Sequence, residues 1–378
     1  MVAKRPNFRR GAPRGYRQHQ IVEAPVSYAP IPRQVRTVYD ITLAKGNLEG
    51  GVKNNMDVVF DKEIMDRAKN LTPPAEIRER IADYGRKVIA ALEKEKSENT
   101  LPDISVAEII PVGSFMNDTI THSSDKSDIV VQLNGLPSFE NVSDLGRRIV
   151  DNMKMADPKE TGEPLPQDYG FLISSHNCKV RVLVTIIPGD SAKLEPELHL
   201  DEKILMINYF STRHTSWFAA QANSLSEENV QEYRALIRVL KDTRSRYSDF
   251  QHLSIWSLQY LAHYCLFKGP SRQKVNLGTA FRRFFELIAA GIFLPKAASL
   301  VDETAPNHCI GFDLTFQQRD SICQGAQTLV RIFATGNDGY RTILGTHGTA
   351  ADLTQTASTW KGIEIRPALD AYKPGCME

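Results

Sequence analysis

Residues 112–133 read VGSFMNDTITHSSDKSDIVVQL and contain the two features that decide the fold. Gly113-Ser114 ends one apolar run, and Asp128, fourteen residues after Ser114, opens a second apolar run. A glycine allows a tight turn and a close approach of the backbone to a ligand. The N–H groups that open a following helix bind anions. The stretch therefore predicts a strand, a phosphate-type turn with a short helix, and a second strand.

This order of elements is the layout of a nucleotidyltransferase active site, whose second strand carries two acids at positions i and i+2. Alternation along a strand places both acids on one face. There they hold two Mg²⁺ ions about 4 Å apart for an in-line displacement. In this chain the i position is Lys126 and the i+2 position is Asp128. One metal-binding carboxylate is therefore replaced by a cation.

In such an active site a third acid lies on a neighbouring strand, which in this chain would be within residues 178–187. That stretch reads CKVRVLVTII and contains no Asp or Glu. Asp125 does not replace the missing partner of Asp128, because residues three apart on a strand face opposite sides. A single carboxylate does not suit Mg²⁺, which needs near-octahedral oxygen coordination. The sequence predicts a protein that is not an enzyme, and an active RNA nucleotidyltransferase with relocated acids is the alternative.

Nucleotide binding without turnover is a separate question, and the sequence leaves it open. Gly113 and Ser114 remain available for a phosphate, and Lys126 could pair with Asp128 or contact a phosphate in place of a metal. The alternative is a structural turn with a solvent-facing salt bridge. Lys241, on a predicted helix, is a second phosphate candidate or else a solvated lysine. We expect no resident cofactor beyond an NTP held without turnover, and no metal.

Length and composition fit a two-lobed protein with a sizeable core, since the chain has 378 residues. No apolar run approaches the roughly 20 residues of a membrane span, so no membrane partner is expected. The five cysteines are scattered and form no C-x-x-C, which favours reduced thiols over a zinc site. Arg213-His214 beside Trp217-Phe218 is interpreted as packing rather than catalysis.

The basic character is concentrated in residues 1–36, which hold eight of the 46 Lys and Arg and one of the 45 Asp and Glu. This Arg-, Pro- and Gly-rich tail cannot bury enough apolar area to offset its chain entropy, so we expect disorder. Aromatic residues among the arginines favour loose, salt-sensitive nucleic-acid contact. A solubilising or nuclear-import tail is the alternative. The arginines assigned to this contact are Arg5, Arg9, Arg10, Arg14 and Arg17.

Periodicity divides the remaining chain into an α/β part and a helical part. The predicted domains are an N-terminal extension over 37–72, an α/β lobe over 73–188, a helical lobe over 189–368 and a C-terminal tail over 369–378. In the N-terminal extension and the α/β lobe we predict helices at 60–70, 75–95 and 143–155 and strands at 106–112, 127–133, 170–175 and 179–187.

The helical lobe is predicted to contain helices only, at 201–221, 226–247, 253–268, 276–291, 316–335 and 349–358. Gly336-Asn337-Asp338-Gly339 is interpreted as a turn. Two segments, 253–268 and 281–294, are apolar on more than one face. The helical lobe would bury some of this apolar area in its own core, and the excess would form a surface for a partner protein. The sequence alone does not separate the core from the interface.

Several long motifs in this chain, in order, resemble the DZF domain. The resemblance covers about residues 75–368 and rests on VGSFMNDTITHSSDKSDIVVQL, KLEPELHLDEKIL, RHTSWF, ALIRVLKDTRSRY, LGTAFRRFFELIAAGIFLP, QTLVRI and STWKGI. It implies a bilobal α+β fold similar to that of template-independent nucleotidyltransferases such as oligoadenylate synthetases, without their catalysis. Those enzymes have Asp-x-Asp where this chain has Lys126-Ser127-Asp128, and a third Asp near Leu183.

The resemblance also implies a partner. It implies obligate pairing through the helical lobe with a larger DZF protein, similar to interleukin enhancer-binding factor three, that carries double-stranded-RNA-binding domains. The implied roles are in nuclear RNA metabolism and transcription, with the nucleolus and cytoplasmic ribonucleoprotein complexes as further locations. This chain shows no RNA-binding domain of its own. Contact with double-stranded RNA, and with DNA, is therefore expected through the complex, with help from the basic tail.

Overall fold

The computed structural model describes residues 56–175, 178–187, 194–268, 273–297, 299–305, 307–348 and 351–371. The basic tail with Arg5, Arg9, Arg10, Arg14 and Arg17 lies outside the described residues, as do most of the predicted N-terminal extension and of the C-terminal tail. Among the described residues, no helix has the length and apolar character required to cross a membrane.

The α/β lobe is built on a five-stranded mixed sheet in the order β1-β2-β5-β4-β3. Its strands are β1 (Ser105–Val112), β2 (Lys126–Asn134), β3 (Glu163–Gln167), β4 (Gly170–Ser175) and β5 (Cys178–Ile186). Only the central pair, β2 and β5, is parallel; the other pairs are antiparallel. Three helices belong to this lobe, α2 (Ala75–Glu98), α3 (Gly113–Met116) and α4 (Phe139–Ala156).

Alternate residues of the two central strands point to opposite faces of the sheet. Ile129 and Val131 of β2 are buried in the apolar core that α2 and α4 complete. Asp128 and Val130 face the other side, beside Leu183 of β5. The surviving acid therefore lies on the face that α2 and α4 leave uncovered.

The helical lobe surrounds a second and larger core. Its elements are α5 (Glu202–Asn223), α6 (Glu227–Arg246), α7 (Ile255–Phe267), α8 (Leu277–Ala289), α9 (Phe316–Phe333), α10 (Asn337–Leu344), the hairpin β6 (Ser358–Trp360) and β7 (Ile363–Ile365), and α11 (Ala368–Ala371). The two cores meet along α5, because Leu205 is buried with the sheet and Phe218 with the helices.

The first described helix, α1 (Met56–Leu71), precedes the α/β lobe in sequence but packs on the helical lobe, against α6 and α8. The Phe60 ring stacks on Tyr340 with centroids 3.7 Å apart, and an ion pair of 2.7 Å joins Glu63 to Arg341. Asp61 accepts a hydrogen bond from the backbone N–H of Gly278. Residues 56–71 thus join α6, α8 and α10, whose contacting residues lie 175 to 278 positions further along the chain.

Three element predictions for this chain are wrong. Residues 351–357 form no helix, whereas α10 occupies the stretch predicted as a turn. Gly339 fits inside α10 because its backbone lies against α9: an added Cβ would lie 2.4 Å from the Ile332 carbonyl oxygen. The hairpin at 358–365 contradicts a lobe of helices only. The edge strand β3 is an addition to the predicted strands. Pro164 and Pro166 argue against a strand in the sequence, yet an outer strand tolerates missing N–H groups.

The apolar helices do not supply the expected free surface. Segments 253–268 and 281–294 bury nearly all their large apolar side chains in the lobe's own core. Those buried are Leu253, Trp256, Leu258, Leu261, Leu266, Phe281, Phe284, Phe285, Leu287, Ile288, Ile292 and Phe293. In this lobe, a helix that is apolar on all sides lies at the centre of the core. The sequence pattern alone does not distinguish such a helix from one at an interface with a partner.

Candidate functional site

The Gly-Ser turn between β1 and α3 is formed as predicted. Gly113 adopts a φ of +79°, and an added Cβ would lie 2.5 Å from Oδ2 of Asp128. Its N–H donates to the Thr215 hydroxyl of α5 at 3.2 Å. The turn therefore requires glycine both for its backbone angle and for its approach to Asp128, and this amide already has a protein partner.

A Gly113→Ala substitution is expected to lower the free energy of unfolding by about 2–4 kcal/mol, since it adds backbone strain and a clash with Asp128. Chemical denaturation would measure the loss. Gly362→Ala is the matched control, because Gly362 has a φ of +83° and nothing within 4 Å of an added Cβ. The control should lose only about 1–2 kcal/mol. Equal losses in the two variants would contradict a role for the Asp128 contact.

Asp128 is paired with an arginine that is not among the site residues predicted from the sequence. The parallel register places Arg181 of β5 directly opposite Asp128, and Arg181 Nε donates to Asp128 Oδ1 at 2.6 Å. Burial lowers the pKa of Arg181, but the hydrogen bond and charge of Asp128 outweigh this effect and raise the pKa overall. A permanent cation therefore neutralises the carboxylate that a metal ion would need.

Lys126 does not form the expected pair with Asp128. Lys126 is the first residue of β2. It is exposed and does not line the cavity described below. Lys126 is two residues, roughly 7 Å, from Asp128 along the strand, whereas Arg181 is its direct cross-strand neighbour. Leu183 lies opposite Val130 in the same register and gives this part of the sheet an apolar surface.

Lys241 of α6 is neither solvated nor free for a phosphate. Its Nζ donates to the Ser114 hydroxyl at 2.7 Å, to the Thr119 carbonyl at 2.7 Å and to the Thr119 hydroxyl at 3.1 Å. These contacts use all three N–H donors of an ammonium group. Burial, and then the charge of Arg238, lower the pKa of Lys241 to about 7. Two of the four phosphate candidates, Ser114 and Lys241, are thus hydrogen-bonded to each other.

The lowered pKa makes the stability of this contact depend on pH. An unfolded lysine titrates near 10.4, so between about pH 7 and pH 10 the unfolded chain binds the proton more tightly and stability rises with pH. Relative to Lys241→Met, the wild type should gain about 2 kcal/mol of unfolding free energy between pH 7 and pH 9. Parallel denaturation curves for the two proteins would measure this gain. A constant difference over that range would rule out the lowered pKa.

The loop after α3 is held by three arginines around one carboxylate. Asp118, which has a φ of +52°, lies 3.0 Å from Arg78, 3.0 Å from Arg238 and 3.7 Å from Arg234. Arg238 also donates to the Ile120 carbonyl. Since two of these arginines belong to α6, the cluster fixes the turn of the α/β lobe against the helical lobe.

A cavity of about 230 Å³ lies between the lobes. Gly113, Ser114, Asp128, Arg181 and Leu183 line its sheet end. Rings and polar groups of the helical lobe line the opposite end, among them Phe210, His214, Trp256, Gln259, Asp302, Phe312 and Asp313. The turn, the surviving acid and its arginine thus share one cavity, from which Lys126 and Lys241 are absent.

His214, which is predicted to have a packing role, contributes to the wall of this cavity. Its ring stacks on Trp256 with centroids 4.0 Å apart, and the Trp256 indole N–H donates to Asp302 at 2.7 Å. Burial lowers the pKa of His214 to about 4, although Asp302 opposes the shift. The imidazole is therefore neutral at physiological pH. Arg213 turns away and donates to the Thr304 carbonyl.

Two family models match the chain: the DZF N-terminal domain over residues 22–223 and the DZF C-terminal domain over residues 232–366. Among solved structures, the chain is similar to CdnC of E. coli MS115-1 with ATP, at 14% identity over 75% of this chain and 97% of that chain, with a TM-score of 0.52. It is also similar to the Cid1 poly(U) polymerase bound to MgGTP, at 11% identity over 76% and 98%, with a TM-score of 0.51. These likenesses concern the fold, and they confirm the predicted α+β nucleotidyltransferase-like architecture.

Proposed function

Since the chain belongs to the DZF-domain family, we propose that it is a non-catalytic nucleotidyltransferase-like subunit that pairs with a larger, double-stranded-RNA-binding DZF protein. The observation that carries the non-catalytic part is the ion pair between Asp128 and Arg181. In-line nucleotidyl transfer needs several carboxylates around two metal ions. Asp128, the one acid that the described strands contribute to the cavity, is already paired with a fixed cation.

The surrounding residues support the same proposal. The cavity face of β5 carries Arg181 and Leu183, neither of which coordinates a hard cation. Within the described ranges, no group of three or more His, Cys, Asp or Glu side chains is placed to hold a metal ion. The alternative, an active enzyme with relocated acids, would have to draw on Asp302 and Asp313 at the far end of the cavity.

Incubation of the protein with labelled ATP, RNA and Mg²⁺ or Mn²⁺ tests this part of the proposal. We expect no labelled product above the level given by Asp128→Ala. Asp313→Ala tests one of the relocated acids that the alternative would draw on. Product that forms with the wild type and disappears with either variant would show that the chain is an enzyme.

The pairing proposal gains support from the surface of the helical lobe. Although α7 and α8 are buried, this lobe still exposes more than half of several large apolar side chains. They are Val58, Val59, Phe316, Ile363 and Leu369. Apolar side chains of this size are candidates for burial against a partner protein.

Size-exclusion chromatography with light scattering, on the chain alone and mixed with a DZF partner, tests pairing. We expect a one-to-one complex, weakened by Phe316→Glu or Ile363→Glu and unaffected by Phe139→Glu. Phe139 is 52% exposed but lies on the α/β lobe, so it controls for a new surface charge. A chain that remains a stable monomer and does not bind the partner would refute the proposal.

In this proposal, double-stranded RNA and DNA are reached mainly through the partner, and the complex acts in nuclear RNA metabolism and transcription. Residues 1–36 add salt-sensitive contact through Arg5, Arg9, Arg10, Arg14 and Arg17. Deleting residues 1–36 should leave most RNA binding by the complex intact and lower its salt dependence. Loss of nearly all binding would instead make this chain the principal nucleic-acid binder. Imaging of the tagged full chain would test the nuclear location.

A further inference from the structure

The Ser114 hydroxyl and the Lys241 amine have the geometry of a nucleophile and its base. Lys241 Nζ lies 2.7 Å from Ser114 Oγ, within the roughly 2.6–3.2 Å that such a pair requires. The base must in turn be oriented by a third group. Thr119 has this role, because Lys241 Nζ donates to its carbonyl at 2.7 Å and to its hydroxyl at 3.1 Å.

The neutral form of Lys241 directs its lone pair at Ser114. Loss of one proton from the three-donor ammonium group leaves two N–H donors and one lone pair. One N–H stays with the Thr119 carbonyl, since a carbonyl oxygen only accepts. The Thr119 hydroxyl donates its own proton to the Ser114 carbonyl at 3.4 Å, so it accepts the second N–H. The lone pair is left for the Ser114 O–H, from which it can take the proton.

The surroundings of Lys241 favour this neutral form. Burial has the largest effect on its pKa, and the positive charges of Arg238 and Arg244 act in the same direction, whereas the charge of Asp128 opposes them. The resulting pKa of about 7 leaves about half of the Lys241 side chains unprotonated at neutral pH. An ordinary lysine, with a pKa near 10.4, is almost fully protonated there.

The reactive side of this pair faces the cavity between the lobes. Ser114 lines the cavity, and so does Asn117, which follows it by one helical turn and is 4% exposed. Within the described part of the chain, the Asn117 side-chain amide is neither hydrogen-bonded nor fully enclosed. Residues three apart on a helical turn are neighbours. The amide is therefore available to donate to the oxygen that becomes negative when Ser114 attacks a carbonyl carbon.

The cavity favours an uncharged acyl group over a phosphate. Arg181 is the one Lys or Arg among the described lining residues, and it is paired with Asp128, while Asp302 and Asp313 add negative charge. The volume of about 230 Å³ is below the roughly 300–1,000 Å³ of pockets that enclose drug-sized ligands, so it suits a short acyl chain. The apolar part of the wall is formed by Val112, Leu183, Ile207, Phe210 and Phe312.

We propose that Ser114 is a nucleophilic serine, activated by Lys241, that takes a short acyl group from an uncharged, activated carboxylic ester. The Ser114 oxygen bonds to the carbonyl carbon while Lys241 takes the hydroxyl proton. The bond from that carbon to the leaving oxygen then breaks, the electron pair stays on the leaving oxygen, and Lys241 returns the proton to it. The products are an acyl-serine ester and a free alcohol. This single covalent step goes beyond the proposed function, since it involves neither nucleotidyl transfer nor partner pairing.

Reaction of the full chain with p-nitrophenyl acetate tests the proposal. We expect a burst of one p-nitrophenol per chain, and one acetyl group that peptide mapping by mass spectrometry places on Ser114. The burst rate should rise with pH to a plateau, with a midpoint of about 7, because the base acts only when it is unprotonated. Lys241→Met should slow the burst about 100-fold or more and remove this midpoint.

Two serine variants complete the experiment. Ser114→Ala should lose the burst. Ser211→Ala is the matched control and should react as the wild type does, because Ser211 lines the same cavity but donates to the Ile207 carbonyl.

The proposal fails if no burst occurs, if the acetyl groups map only to lysines or to other serines, or if Ser114→Ala keeps the burst. It also fails if Lys241→Met reacts at the wild-type rate with the same midpoint, which would make Lys241 a purely structural partner of Ser114. If Ser114→Ala does not fold, the mapped position in the wild type and the rate of Lys241→Met decide the question.

Discussion

An Arg181→Leu variant is expected to lose about 2–3 kcal/mol of unfolding free energy, because it leaves the Asp128 carboxylate desolvated and unpaired. The loss should be below the largest values for buried pairs, since 34% of the Arg181 side chain and 11% of the Asp128 side chain remain exposed. Urea denaturation followed by circular dichroism would measure it. The variant should gain no catalytic activity, because freeing Asp128 supplies only one of the required acids.

The double variant Asp128→Asn with Arg181→Leu is the control for this prediction. It removes the unpaired charge while keeping the shape of the carboxylate, so it should recover most of the lost stability. The coupling between the two positions would then appear as non-additive losses. Losses that simply add would mean that Arg181 stabilises the sheet by packing, and the neutralisation argument for an inactive site would fail.

A Phe60→Ala variant should show the largest loss, about 3–5 kcal/mol, since it removes a buried ring from the core of the helical lobe. Phe60 is 2% exposed and stacks on Tyr340. Without it, α1 still buries Ile64, Ala68 and Leu71 in the same core and keeps the Glu63–Arg341 and Arg67–Asp242 ion pairs. Denaturation would measure the loss, and limited proteolysis within 56–71 would report release of the helix.

Val59→Ala is the matched control for this prediction. Val59 neighbours Phe60 on the same helix but is 58% exposed, so its truncation should change stability by no more than about 0.5 kcal/mol. A small loss for Phe60→Ala, with proteolysis unchanged, would mean that α1 is dispensable for the helical lobe.

The sheet and most helices were predictable because their periodicity is local. The four strands predicted in the α/β lobe lie within two residues of β1, β2, β4 and β5, since their apolar residues follow the alternation that burial requires. The predicted start of α4 at residue 143 was late. Ser138 accepts the N–H of Asn141 and caps a helix that begins at Phe139, four residues earlier. A cap is visible in sequence, but several serines compete for the role.

Only part of the cavity lining could be predicted from the sequence. The register between β2 and β5, which are distant in sequence, decides which of their side chains lie together. Gly113, Ser114 and Asp128 are recognised from their spacing, and all three line the cavity. Arg181 carried a usable signal: it is two residues before Leu183 and therefore on the same face of the same strand. Gln259 carried no such signal. No sequence pattern within α7 shows which residue of this buried helix lines a cavity that is formed together with the other lobe.

The prolines of the outer strands limit how this protein meets other chains. Pro111 in β1 and Pro164 and Pro166 in β3 place a residue without an N–H on each edge of the five-stranded sheet. A strand from another molecule, added at either edge, would meet gaps in the row of donors it needs. Sheet extension, whether for aggregation or for binding a peptide strand, is thereby disfavoured at both ends. Contacts with other proteins are left to side chains rather than to the open backbone of the sheet.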